Sequence, residues 1–227
     1  MAATDPRRPS EAIEDYAKAI YALQRRAGEG GVSTNDLADR LGVTPGSVSA
    51  MVKKLAERGL TVHEPYRGVQ LTSEGERVAL EVMRHHRLLE LYLVEHLDVP
   101  WDRVHAEAEA LEHVISEDLE ERIAAKLGNP THDPHGDPIP DAALHIDEGV
   151  TVRLSDLNAG DRGRFVRVSD ADPEMLRYLS DRGVTLGDSL VVLERQPFDG
   201  PVSVRLGEHE HVFGGLLAAA MRIELDD

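Results

Sequence analysis

Apolar positions near the start of the chain recur at helical spacing and are punctuated by capping and stop residues. Ile13, Ala17, Ile20 and Tyr21 share one face of a stretch free of Gly and Pro, which predicts a helix from Glu11 to Arg26, capped by Ser10 and ended by GEGG at 28–31. Ser33 is placed to cap a second helix, Asn35 to Leu41, and Gly42 to stop it; Thr44 can cap a third that runs through Arg58. LTVHEPYRGVQLT, 60–72, changes to the spacing of two short strands around Pro65–Gly68, a hairpin. Helical spacing returns from Ser73 to about His96 through Val78, Val82, Leu89 and Leu93; Pro100 breaks it, and one more helix is predicted to about Leu127.

The second half reads differently. Residues 128–149 are dense in Pro, Gly, Asp and His and read as an irregular linker. VTVRLSDL, GRFVRVSD, SLVVLERQ, VSVRLG and MRIEL are short β-type runs suited to a small barrel or sandwich, and only DPEMLRYLSDRG, 172–183, looks helical among them. The expected fold is mainly α with a small β part. Its expected divisions are a winged helix-turn-helix over 1–74, a helical domain over 75–128, a linker over 129–149 and a β domain over 150–227.

Composition changes the picture in two ways. The 227 residues include no cysteine, so a metal site here must use oxygen and imidazole ligands. The net charge of -17 argues at first against a nucleic-acid partner, because contact with phosphate needs basic groups. Through Leu80, however, 11 Lys and Arg face 11 Asp and Glu, and the remaining 14 basic and 31 acidic residues carry the whole excess. The bland reading of that later acidity is a solubilised or halophilic surface. The N-terminus lacks an apolar signal core and no apolar run approaches the ~20 residues that span a bilayer, so a cytoplasmic location is expected.

STNDLADRLGVTPGSVSAMVKKLAERGLT has the layout of a helix-turn-helix. Leu37, Ala38 and Leu41 face inward against Val48, Met51, Val52 and Leu55, which leaves the start of the third helix free for a DNA major groove. Thr44, Pro45, Gly46, Ser47, Ser49 and Ala50 form that leading end, Lys53 and Lys54 can reach phosphates, and Arg67 is the phosphate candidate of the hairpin, the wing. Such small residues read bases through hydroxyls, thymine methyls, water and shape.

The helices that follow carry ligand-type chemistry. His86 lies on the apolar face of MRHHRLLELYL with Glu90 one turn on. In VHAEAEALEHVISEDL, at ~100° per residue, His105, Glu109, Glu112 and His113 share a sector beside the apolar stripe Val104, Ala108, Leu111 and Ile115. A solvated acidic face or a hydrogen-bonded core histidine explains either feature alone. H-x3-E together with H-x3-E-x2-E-H favours a cation held between helices.

VMRHHRLLE and VHAEAEALEHVIS, preceded by EDYAKAIYAL and a winged helix and followed by DPHGDPIP and a small β domain, resemble the diphtheria toxin repressor family of metal-dependent regulators over nearly the whole chain. The resemblance implies a homodimer joined through about residues 75–127, a C-terminal SH3-like domain, and repression of metal-uptake genes at a palindromic operator. It places a primary metal site on Asp15, Glu109, Glu112 and His113 and an ancillary site on His86, Glu90 and His105. Iron-responsive members have Met and Cys where Asp15 and Glu109 stand, whereas manganese-responsive members have Asp and Glu. Carboxylates in place of sulfur favour hard ions, so Mn²⁺ is expected ahead of Fe²⁺ and other divalent transition metals.

Two departures stand out. The short manganese regulators lack the β domain, and some place an acidic ligand where Lys18 stands here, which puts a closely bridged two-metal centre in doubt. The β domain or linker can instead complete the ancillary site: SDADPE offers Asp170, Asp172 and Glu174, of which Asp170 fits best by spacing, and the linker offers Asp133. The chain has no HExxH motif, and the ligand set lies on packing faces, which argues against a metal-dependent hydrolase. The alternatives within regulation are an iron-responsive repressor and a winged-helix regulator that senses a non-metal ligand.

Overall fold

The structure, a computed structural model, describes residues 9–27, 31–64, 68–198 and 200–226. Its elements are α1 (Glu11–Ala27), α2 (Thr34–Leu41), α3 (Pro45–Glu57), β1 (Thr61–Glu64), β2 (Gly68–Leu71), α4 (Ser73–Leu97), α5 (Val104–Leu111), α6 (Glu117–Lys126), β3 (Val152–Arg153), β4 (Arg162–Val168), α7 (Pro173–Ser180), β5 (Ser189–Arg195), β6 (Val202–Leu206), β7 (His209–Phe213), α8 (Gly215–Ala220) and β8 (Met221–Leu225). The chain divides into two compact units. The first holds residues up to His86 with 112–115 and 140–145; the second holds 87–111, 116–139 and 146 onward.

In the first unit the expected caps are in place. Ser33 accepts from the Asp36 amide, Thr44 accepts from the Ser47 amide with Pro45 opening α3, and Gly42 closes α2 at φ 65°, a left-handed conformation that glycine adopts without a Cβ penalty. α1 packs against α2 and α3, and β1 pairs antiparallel with β2. The core gathers Ile13, Ala17 and Ile20 of α1, Leu37 of α2, Val48 and Leu55 of α3, and Val69 of the hairpin. Burying side chains such as Leu37 and Leu55 completely contributes about 2 kcal/mol each.

The second unit contains an antiparallel sheet of order β3-β8-β4-β5-β6-β7. Phe165, Val168, Leu190, Val204, Phe213 and Ile223 of the sheet form a core with Leu176 of α7. Among the described pairings the sheet is open, with β3 and β7 as its edges.

Three sequence expectations change. The single helix expected up to Leu127 is two, α5 and α6, because Ser116 accepts from the Leu119 amide and, followed by Glu117 and Asp118, starts a new helix. Glu112 and His113 therefore stand in the turn after α5 and not on a helix face. In the C-terminal part α7 is not the only helix, since GLLAAA forms α8; six small and apolar residues without a side-chain cap give no readable period. HEHVF, too polar to read as a strand, is β7, held by pairing with β6.

The linker has no helix or strand, yet it is built. The Asp133 carboxylate accepts from the amides of His135 and Asp137, and a Cβ on Gly136 (φ 84°) would meet the Val166 carbonyl oxygen at 2.0 Å. Asp133 and His135 are consequently buried.

Candidate metal centre

In the first unit α1 offers three polar side chains in one turn and a half. Glu14 is buried, Asp15 is half-exposed, and Lys18 follows at helical spacing. Glu112, 0% exposed, and His113 come to them from the turn after α5. His113 is clamped between two acids, with Nδ1 2.6 Å from Glu14 Oε2 and Nε2 2.9 Å from Asp15 Oδ1; Glu112 Oε1 lies 3.4 Å from Nε2. Burial alone would lower the His113 pKa, but the hydrogen bonds to Asp15 and Glu14 and the charge of Glu112 outweigh it and push the imidazole up to about 10. Glu11 joins this group, with ligand atoms of Glu11, Asp15 and His113 all within 4.8 Å of one another.

The Glu112 carboxylate also receives Lys18 Nζ, at 2.9 Å on Oε1 and 2.8 Å on Oε2, while His86 Nδ1 lies 2.5 Å from Oε2. His85 Nδ1 lies 3.1 Å from the Glu112 carbonyl oxygen. The buried acid is thus pinned at both its side chain and its backbone.

The second unit holds another cluster. Glu90, 1% exposed, faces two histidines: Oε1 is 3.3 Å from His105 Nδ1, and Oε2 is 3.7 Å from His135 Nδ1. Asp170 Oδ2 is 2.9 Å from His105 Nδ1, and Glu109 Oε1 is 3.7 Å from His105 Nε2. Hydrogen bonds to Asp170 first, and then to Glu90, raise the His105 pKa to about 10 against the effect of burial. For Asp170 burial works upward, but the His105 hydrogen bond and charge bring it down to about 2.

His135 donates from Nε2 to the Trp101 carbonyl oxygen at 2.7 Å, which fixes the ring. Its buried Nδ1 makes no hydrogen bond among the described residues, since 3.7 Å to Glu90 is too long for one. Glu90, Asp133 and His135 offer ligand atoms within 4.8 Å of one another, and so do Glu90, His105 and Asp170. Burial, then the charges of Asp137 and Glu90, raise the Asp133 pKa to about 8.

Both clusters fit a divalent cation. Each gathers carboxylates and imidazole without sulfur, and each is already balanced by positive charge: Lys18 and His113 in the first, His105 in the second.

Three known domains match the chain in succession. Residues 9–69 match the iron dependent repressor N-terminal DNA binding domain, 72–141 the iron dependent repressor metal binding and dimerisation domain, and 152–225 the FeoA domain. The iron-dependent repressor IdeR of Mycobacterium tuberculosis is 35% identical over 216 residues, 89% of this chain and 91% of that protein. The chain belongs to the iron-dependent repressor family. Within this family, the HTH-type transcriptional regulator MntR of Lysinibacillus sphaericus is 38% identical over 116 residues, 51% of this chain and 81% of that one. A solved manganese-dependent transcriptional repressor in complex with manganese is 42% identical, with a TM-score of 0.85 over 93% of this chain and 98% of that one.

Asp15, Glu112, His113 and His86 belong to the first unit, and Glu109, Glu90, His105, Asp170 and Asp133 to the second. Thr44, Pro45, Gly46, Ser47, Ser49, Ala50, Lys53 and Lys54 are all exposed along α3, while Val48, Val52 and Leu55 are buried beneath. Arg67 lies outside the described residues. Sequence reasoning missed Glu14, which looks like an ordinary first-turn acid, and His135, whose signal was the DPHGDP turn that aims its ring inward.

Proposed function

We propose that the chain is a homodimeric, cytoplasmic transcriptional repressor that binds a palindromic operator when Mn²⁺ is plentiful. Its role is regulatory and not catalytic. The observation that carries the choice of ion is the sulfur-free donor set, above all Asp15 held against the imidazole of His113 and beside the buried Glu112.

Asp15, Glu109, Glu112 and His113 would hold the first ion, and His86, Glu90, His105 and Asp170 the second, with Asp133 and His135 as further donors to Glu90's side. A bound divalent cation supplies positive charge and a crosslink between the groups that hold it. Glu14 keeps His113 oriented through Nδ1, leaving Nε2 to face Asp15 and Glu112. Asp15 sits on α1, which packs on the DNA-reading helices, so fixing Asp15 to the turn after α5 fixes the reading helix of each copy. Leu111, Val114 and Leu119 are exposed within the stretch that matches the dimerisation domain, and this supports assembly through residues 75–128. The matched segments end at 69 and 141 and resume at 72 and 152, in keeping with functional divisions near 74 and 150; the division of 75–128 from 129–149 rests on the sequence pattern, since the 72–141 match runs across it.

The test is DNA binding by the full chain, using a site selected from a randomised duplex pool by the metal-loaded protein. Tight binding in Mn²⁺ that is lost in EDTA, and lost in Asp15→Ala and Glu109→Ala even with Mn²⁺, is expected. Equal wild-type affinity in EDTA and Mn²⁺ overturns the reading. The 35% identity with IdeR carries a second reading, with Fe²⁺ as the working ion. Anaerobic titration with Fe²⁺ beside Mn²⁺ decides between them.

A further inference from the structure

We propose that the Lys18 ammonium is a tethered competitor ion of the first cluster: it holds the buried Glu112 in the metal-free protein and sets how much metal is needed to fill the site. The inference rests on the metal-binding reading of Asp15, Glu112 and His113.

Lys18 follows Asp15 by three residues and Glu14 by four, so the helix presents all three to the same side. Its Nζ donates to both oxygens of Glu112, at 2.9 and 2.8 Å, and lies 3.3 Å from His86 Nδ1. With a proton on Nδ1 shared with Glu112 Oε2 at 2.5 Å, the approach of Lys18 to that nitrogen is a contact and not a second hydrogen bond. Glu112 is therefore the point on which both groups converge. Its side chain is 0% exposed, and a carboxylate so far from water is costly unless a cation is paired with it.

That pairing cannot coexist unchanged with a metal ligand role. Metal–oxygen distances of roughly 2.1 Å on the same carboxylate would bring two positive charges to within about 4 Å of each other in a site poor in water. Lys18 must withdraw or remain at the cost of repulsion. Withdrawal is open to it, because its side chain keeps 19% exposure and a flexible four-carbon stem. Either course lowers metal affinity relative to a neutral residue of similar length. The same contact keeps the metal-free cluster assembled, so the position that resists the ion also preserves the arrangement of donors that receives it.

The experiment compares wild type with Lys18→Met as full chains. Mn²⁺ affinity is read by chelator competition starting from metal-loaded protein, so a variant unstable without metal still gives a value. Lys18→Met is expected to hold Mn²⁺ about tenfold more tightly, and the metal-free protein to melt at a lower temperature than wild type. Adding Glu112→Gln to Lys18→Met is expected to recover the metal-free melting temperature, because no buried charge is left. Lys18→Met that holds Mn²⁺ no more tightly, or that leaves the metal-free melting temperature unchanged, overturns the proposal. Asp15→Ala run in parallel separates the two ideas: if it binds Mn²⁺ as wild type does, the site reading itself fails, whereas loss of binding there with no gain in Lys18→Met sinks only the role of Lys18.

Discussion

The two clusters use the same chemical groups and balance them differently. In the first, a fully buried Glu112 is neutralised by a lysine from a distant helix turn, and a histidine is gripped by two neighbouring acids of α1. In the second, Glu90 faces two histidines, one from α5 and one from an ordered loop, and Asp170 of the β domain closes on His105. The first depends on contacts between residues about a hundred positions apart within the DNA-binding unit, and one of its cations sits on the long, flexible stem of Lys18. The second is anchored on a turn whose backbone amides are already satisfied by Asp133. A cluster with a displaceable partner suits switching; one on a rigid turn suits affinity.

Substitutions should separate these roles. The largest effect is expected from Glu14→Leu, which leaves every proposed ligand in place but removes the acceptor that orients His113: Mn²⁺ affinity at the first cluster should fall about 10- to 100-fold, with the second unchanged, as read by calorimetric titration. Unchanged first-cluster affinity would show that Glu14 is merely a buried acid. Asp170→Asn should weaken the second cluster by about tenfold and leave metal-dependent DNA binding largely intact; complete loss of DNA binding would erase the distinction between switch and support.

The smallest expected difference is in protons. His105 and His113 are both raised to about 10 from an ordinary 6.5, so protonation stabilises the metal-free fold fully below about pH 6.5 and this contribution is lost as pH rises through about 10. An ion that takes the same nitrogen must release the proton. Uptake at neutral pH should therefore free about one proton at each cluster, measured by calorimetry in buffers of different ionisation enthalpy, and metal affinity should rise with pH. No proton release would mean that neither imidazole is a ligand.

Much of this was legible in sequence because its causes are local. Ser33, Gly42 and Thr44 announce the helix-turn-helix by capping chemistry, and the buried faces of α1 and α3 follow from spacing alone. Glu112 and His113 were found by a helical wheel that does not apply to them: the helix ends at Leu111, and the turn brings both to α1 where a continued helix had been assumed. The burial of Glu14 and His135 and the pairing of Lys18 with Glu112 were illegible for a common reason. Whether an acid, a lysine or a loop histidine is solvated or buried depends on what packs over it, and for these three the covering groups come from segments far away in sequence.

The exposed leading end of α3 has a consequence for salt. Beyond its hydroxyls and methyl groups it offers phosphates only Lys53 and Lys54, and Lys53 already lies 4.0 Å from Glu57. A surface of that kind displaces few condensed counterions from a duplex, and each displaced ion contributes a slope of roughly 0.9 in log affinity against log salt. If α3 is the reading helix, it would by itself impart a shallow ionic-strength dependence, its grip coming from fit to the groove more than from charge.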